Sequence, residues 1–192
     1  HGELIQAISW FLKGSEGTSQ LAKEEKHYKK KEAEVLVAYI KKNNLWLPAI
    51  NVEDYVSEGA EQKVYLNDGK HVIKLNDAIY YNSWEDYLNN LLLHNYFFTD
   101  TAYELTGFIE EKEVLYAVVK QPFVKATEQT NLQLVKDFLG QNGFVNTKNN
   151  DYYNAELDII LEDLHDENVL TNNGTLYFID TVFYIKEGFY KD

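Results

Sequence analysis

The spacing of apolar residues changes twice along this chain, near residue 50 and near residue 121. Before the first change, Tyr28, Val35, Leu36, Tyr39 and Ile40 fall on one stripe at helical spacing, and the stripe stops at Asn43, Asn44 and Pro48. Residues 1–50 therefore read as a helical N-terminal extension. From Asn51 the pattern turns to short strands. Gln62 to Leu66 and Lys70 to Leu75 flank Asn67, Asp68 and Gly69, a turn composition that predicts an antiparallel hairpin. Ser83 with Asp86 three residues on opens a helix in a capping-box pattern, and Trp84, Tyr87, Leu88, Leu91 and Leu92 fill one face of it. Tyr103 to Ile109 and Val114 to Lys120 read as two further strands around the charged turn Glu110 to Glu113. Residues 51–120 thus form a strand-rich lobe with one helix inserted after its third strand.

Pro122 marks a break, after which Leu132, Val135, Phe138 and Leu139 give one short amphipathic helix ended at Gly143. The rest of residues 121–192 is polar turn with strand-like pieces at Asp158 to Leu161, Val169 to Leu170 and Leu176 to Ile179, the last hairpin closing at Asn173 and Gly174. The fold class expected is α+β, with an antiparallel sheet plus one helix in the first lobe and a reduced second lobe.

Composition narrows the partners. Hydrophobic residues are 45% of 192 and aromatics 15%, which supports a buried core and excludes a disordered chain. The net charge of −13 repels nucleic acid and anionic lipid, so neither is expected as a partner. The chain has no Cys, so disulfides, zinc-thiolate sites and thiol nucleophiles are excluded, and any metal must be held by oxygen or imidazole. No run approaches the roughly 20 apolar residues of a membrane span, and Ile5 to Leu12 lacks the charged start and cleavage pattern of a secretory signal, so a cytoplasmic protein is expected. The start at His1 and the absence of Met fit a piece of a larger protein. Lys26, Lys29, Lys30 and Lys31 cluster on the first stretch and read as a solvated helix face.

The chemistry concentrates in Glu162-Asp163-Leu164-His165-Asp166-Glu167-Asn168-Val169-Leu170 and the following Leu176-Tyr177-Phe178-Ile179-Asp180. Phosphoryl transfer from ATP needs an acidic group at the acceptor hydroxyl and oxygen ligands for Mg²⁺. An Asp, an Asn five residues on and a further Asp after a short hairpin supply these, which assigns Asp163 to the acceptor and Asn168 and Asp180 to the metal. The same residue types also populate turns for backbone reasons alone. Earlier in the chain, Ser57-Glu58-Gly59-Ala60-Glu61-Gln62-Lys63-Val64 has the layout of a phosphate-covering glycine loop in which only Gly59 keeps its glycine, with Ser57 and Gln62 at the outer positions. Val72-Ile73-Lys74 places a lysine on the third strand, where its ammonium can neutralise phosphates; a lysine ending an exposed strand is the plainer alternative. Glu85, on the flank of the next helix's apolar face, is the candidate partner for Lys74, although an acid in a first turn also complements the helix dipole. His165 reads as a structural hydrogen-bonding group, and His94 and Asn95 as capping and packing residues.

In this order of parts the chain resembles the serine/threonine/tyrosine kinase-like domain of polyvalent proteins from phages and mobile elements. The resemblance runs from about Asn43 to Tyr184. It is carried by Val72-Ile73-Lys74-Leu75-Asn76, Leu91-Leu92-Leu93-His94-Asn95, Tyr103-Glu104-Leu105-Thr106-Gly107-Phe108, Val118-Val119-Lys120-Gln121-Pro122-Phe123 and the Asp163 to Asp180 stretch. It implies a truncated two-lobe protein-kinase-like fold and Mg-ATP binding, with Gly59, Ala60, Val64, Lys74, Gln121 and Phe123 at the nucleotide and residues 120–124 as a hinge contacting adenine. Two departures matter. Leu161-Glu162-Asp163 stands where kinases carry His-Arg-Asp, and the Asp to Asn spacing with an internal His is closer to aminoglycoside phosphotransferases, which leaves a small-molecule acceptor open beside a protein one. Few residues follow Asp180, so no platform for a protein substrate is legible. The function expected is therefore an ATP-dependent phosphotransferase, with a pseudokinase-like nucleotide- or partner-binding module as the alternative and an acidic interaction domain as the third class.

Overall fold

The computed structural model describes residues 2–15, 25–48, 55–58, 62–66 and 68–186, and of residues 25–28 and 55–58 it describes the backbone. The protein is α+β with antiparallel sheets. Its contacts divide it into two compact units, His1–Asn95 with Ala102–Phe123, and Tyr96–Thr101 with Val124–Asp192.

The first unit opens with helices α1 (Glu3–Ser15) and α2 (Glu25–Lys42). Its sheet has strands β1 (Tyr55–Glu58), β2 (Gln62–Leu66), β3 (His71–Asn76), β4 (Glu104–Glu111) and β5 (Val114–Pro122) in the order β1-β2-β3-β5-β4. Helix α3 (Trp84–Phe97) begins between β3 and β4, as the sequence predicts. The hairpin β2–β3 pairs Gln62 with Asn76 through Leu66 with Val72. Asp68 sets its turn by accepting the N–H groups of Lys70 and His71 at 2.9 and 2.8 Å, and Gly69 takes the left-handed φ of 72°. Asn67, also read into this turn, lies outside the described residues. Pro122 is the last residue of β5 and pairs with His71, and the long stretch of the second unit begins two residues on, at Val124. A proline is tolerated there because a strand end need not donate to the ladder.

Two apolar layers follow from the two-residue period of the strands. Tyr65, Leu75, Ile109 and Val118 cluster on one face of the sheet. On the other, Trp84 of α3 meets Phe108 edge-on at 6.3 Å between ring centres.

The edge of β4 is covered by the residues after α2. Phe108 donates its N–H to Leu45 O at 2.9 Å and accepts from Leu47 N at 2.8 Å. That close approach explains Gly107. A Cβ there would lie 2.5 Å from Leu45 O, at a φ of 155° that side chains rarely adopt. Gly107→Ala must displace backbone, and we expect it to destabilise the protein by about 2–3 kcal/mol. A drop of roughly 5–10 °C in melting temperature is the corresponding observation; an unchanged melting temperature removes this account of Gly107.

The second unit contains α4 (Leu132–Gln141), a sheet of β6 (Val145–Lys148), β7 (Asp151–Asn154), β8 (Ile159–Glu162) and β11 (Val182–Ile185) in the order β11-β8-β7-β6, and the hairpin β9 (Val169–Asn172) with β10 (Thr175–Phe178). Asn131 caps α4 by accepting the N–H of Gln133. The core of this unit is aromatic. Phe98 stacks on Phe178 at 4.1 Å and Phe97 on Phe183 at 5.5 Å, geometries that add to the area these rings bury. Strands β6, β7 and β11 are not among the strand-like pieces read from the sequence. No described helix is long and apolar enough to cross a membrane.

Candidate functional site

The first unit carries its candidates on one face of the sheet. Residues paired across strands share a face. Val64, Lys74 and Val119 form one such row, and Val72 with Gln121 the next. Lys74 is therefore no exposed strand end. It sits on the central strand with 4% of its surface exposed, and Gln121 is 1% exposed. A lysine so placed is uncommon without specific surroundings. One of them is Tyr103, whose ring centre lies 5.4 Å from the Lys74 ammonium, within cation–π reach.

Tyr103 is held from α3. Asn95 donates its side-chain N–H to Tyr103 O at 2.8 Å and accepts the Tyr103 N–H at 2.6 Å, while the fully buried His94 ring lies 4.5 Å away. His94 and Asn95 thus do the packing work that the sequence predicts, and the residue they position is one that sequence reasoning missed. Nothing in the local pattern distinguishes Tyr103 from an ordinary strand-start aromatic.

Gly59 and Ala60, placed at the nucleotide by the resemblance, lie outside the described residues. Phe123 leaves 48% of its surface exposed, and its N–H is donated to Lys70 O at 2.8 Å. That donor is used inside the protein, so a hinge contact through Phe123 falls to its ring or carbonyl.

Glu85 stands in the first turn of α3, and the way that helix begins is the second feature absent from the sequence reading. Four N–H groups at a helix start lack intrahelical partners. Ser83 Oγ accepts the Asp86 N–H at 2.9 Å, the expected half of the capping box. The Trp84 and Glu85 N–H groups are taken by Glu32 of α2, at 2.6 and 2.9 Å. Lys29, one turn earlier on α2, bonds to Ala78 O and to Tyr81 O. It is not part of a solvated face, and burial lowers its pKa. The side chain of Lys26 lies outside the described residues.

Burial pushes the Glu32 carboxyl up to about 7 despite the two N–H groups that favour its anion. The folded state therefore holds this proton more tightly than the unfolded chain. Its contribution to stability is complete below the unfolded pKa of about 4.5 and is lost as pH rises through about 7. Gln at this position does not titrate. The stability difference between the parent and Glu32→Gln is expected to move against the parent by about 3 kcal/mol from pH 4.5 to 8. Denaturant titrations of both proteins across that range test this, and a constant difference contradicts it.

The second unit brings Asp163, Asn168 and Asp180 together. Asn168 Nδ2 donates to the Asp163 carboxylate at 2.9 Å and to the Asp163 carbonyl at 2.8 Å. Asp163 itself has a left-handed φ of 65°, uncommon outside glycine and a conformation that recurs at functional sites. The β9–β10 hairpin does the rest. Its last pair, Val169 with Phe178, puts the residues just beyond it side by side, and Asn168 O accepts from Ile179 N at 2.9 Å and Asp180 N at 3.4 Å. His165 Nδ1 accepts the Glu167 N–H at 3.2 Å, the structural role expected of it. The proton is then on Nε2, which faces Asp163 at 3.5 Å. Nearby, burial and then the charges of Asp151 and Asp163 raise the pKa of Glu162.

Because the amide nitrogen of Asn168 is used on Asp163, its oxygen is the end left to ligate a cation. Asn168 and Asp180 together offer hard oxygen donors of the kind Mg²⁺ prefers. Among the described residues no three carboxylate or imidazole side chains cluster as a metal site by themselves.

No solved structure and no curated protein matches the chain. The sequence does match, over residues 29–187, the family described as serine/threonine/tyrosine kinase found in polyvalent proteins. The match begins inside α2 at Lys29, and so takes in Glu32 as well as the strands and the Asp163 to Asp180 segment. The chain belongs to this kinase family of polyvalent proteins.

Proposed function

We propose that the chain is an ATP-dependent phosphotransferase that moves the γ-phosphoryl group of Mg-ATP to a hydroxyl of a protein or small molecule. In this reading the fold is a truncated two-lobe kinase-like one, the sheet and α3 standing for the N-lobe and the second unit for a reduced C-lobe. The observation that carries it is the cluster of Asp163, Asn168 and Asp180, tied by the Asn168 side chain and backbone. Turn chemistry alone does not call for an Asn whose side chain holds one Asp while its backbone carbonyl meets the N–H of a second.

Roles follow from the donors. Lys74 offsets phosphate charge, Glu85 orients Lys74, and Val64, Gln121 and Phe123 line the base, with Gly59 and Ala60 over the phosphates. Asn168 and Asp180 hold Mg²⁺, which when bound neutralises charge on the phosphate oxygens. Asp163 takes the proton of the acceptor hydroxyl as its oxygen bonds to the γ-phosphorus and the bond to ADP breaks. The partner set is nucleotide plus acceptor, in a cytoplasmic setting and within a larger protein.

The lost outer glycines, replaced by Ser57 and Gln62, favour one second reading, a pseudokinase-like module that binds nucleotide without turnover. Incubation with Mg-ATP, followed by mass detection of phosphate on the protein and on candidate hydroxyl acceptors alongside ADP release, separates the two. Phosphate on any acceptor, or ADP above the Asp163→Asn background, supports the phosphotransferase. Nucleotide binding with neither product establishes the second reading.

A further inference from the structure

A groove of about 830 Å³ opens on the first unit, lined by none of the residues assigned above to nucleotide. Three walls frame it: α2, the segment from Asp77 to Asn82, and the β4–β5 hairpin around Glu113. Ala33, Val37, Trp84 and Leu115 give it an apolar lining. Two of its large apolar side chains remain in solvent, Ile79 at 64% exposure and Val114 at 38%. Exposed apolar surface in a concave setting marks a binding surface more often than a stray residue does.

Charge says what kind of occupant fits. Each wall carries a carboxylate: Glu34 on α2, Asp77 on the second, Glu110 and Glu113 on the hairpin. Two lysines also line the groove, Lys29, which bonds to Ala78 O and Tyr81 O and feels the charge of Asp77, and Lys30, so its four carboxylates outnumber its cations and Glu34, Glu110 and Glu113 carry the excess. The hairpin turn strengthens this. Lys112 and Glu113 both take left-handed φ, 51° and 67°, in a two-residue turn that favours Asn and Gly at these positions. Charged side chains stand there against the preference of the backbone. The net charge of −13, with these carboxylates at the groove, disfavours nucleic acid or an acidic membrane surface as its occupant.

We propose that this groove is a docking surface for a peptide segment of a partner protein, one that carries large apolar side chains flanked by Lys or Arg. The apolar side chains enter between α2 and the hairpin, and the flanking cations meet the four carboxylates. Such a surface gives affinity through the apolar anchors and orientation through the rim charges.

The proposal stands on the groove alone and is tested without nucleotide, so its failure leaves the phosphotransferase reading intact and the reverse also holds. The probe is a fluorescein-labelled dodecapeptide with two Phe four positions apart and Lys on both flanks, compared with the same peptide carrying Glu flanks. Fluorescence anisotropy at low salt is expected to show micromolar binding of the Lys-flanked peptide and at least tenfold weaker binding of its Glu-flanked counterpart. Glu110→Lys with Glu113→Lys is expected to weaken the Lys-flanked peptide about tenfold or more, and Val37→Arg to abolish its binding. The two glutamates are exposed, so that double variant carries the test if Val37→Arg does not fold. Equal affinity for both peptides, or no effect of the charge reversal, overturns the proposal. Sedimentation showing a dimer that Val37→Arg dissolves also overturns it, because a second copy is then the occupant.

Discussion

Asp163→Asn is expected to lower phosphoryl transfer by at least about 10²-fold while leaving Mg-ATP affinity within a few fold of the parent. The substitution keeps the shape of the side chain, and its remaining oxygen can still accept from Asn168 Nδ2, so the loop keeps the 2.9 Å contact that orders it. Only the proton acceptor is lost. Asp180→Ala is expected to fail differently. In the proposed reading Asp180 holds the metal and not the acceptor hydroxyl, so its loss weakens Mg-ATP binding as well as turnover. Calorimetric titration of both variants with Mg-ATP, beside a turnover assay, separates the two defects. If both variants bind and turn over like the parent, Asp163, Asn168 and Asp180 are turn residues and no more.

The second large effect is expected at Lys74. Lys74→Met keeps an unbranched stem of similar length in the buried position on β3 and removes the ammonium. If the ammonium stabilises charge on the transferred phosphates, turnover falls by about 10²- to 10³-fold, the range seen when one preorganised electrostatic partner is removed. The measurement is turnover at saturating Mg-ATP on protein whose circular dichroism matches the parent. Parental turnover by that variant removes the phosphate role of Lys74.

Sequence and structure meet where local chemistry decides the outcome. The β2–β3 hairpin was legible because Asp68 and Gly69 specify a turn by themselves, and α3 because Ser83 and the apolar face coincide. Strands β6 and β7 were not legible. In Val145-Asn146-Thr147-Lys148 and Asp151-Tyr152-Tyr153-Asn154 the strand formers are interrupted by Asn146, Asp151 and Asn154, which favour turns, and pairing of β6 with β7 and of β7 with β8 makes them a sheet. The same limit applies to the candidate site. The spacing of Asp163, Asn168 and Asp180 could be read directly, since a hairpin of known length brings its two ends together. Tyr103 beside Lys74 and Glu32 at the start of α3 could not, because each joins residues far apart in the chain through tertiary packing. A helix cap supplied by another helix leaves no mark on the capped sequence.

Binding of Mg-ATP is the claim on which the rest depends, and the parent protein's melting temperature measures it most directly. A ligand held only by the folded state and present at 100 times its Kd adds about 2.7 kcal/mol of stability. For a chain of 192 residues that is a rise of roughly 5–10 °C. We predict this rise with millimolar ATP and Mg²⁺ together, and a smaller one with either alone, because the proposed roles of Asn168 and Asp180 reach the nucleotide through the metal. A melting temperature unchanged by millimolar Mg-ATP contradicts the account.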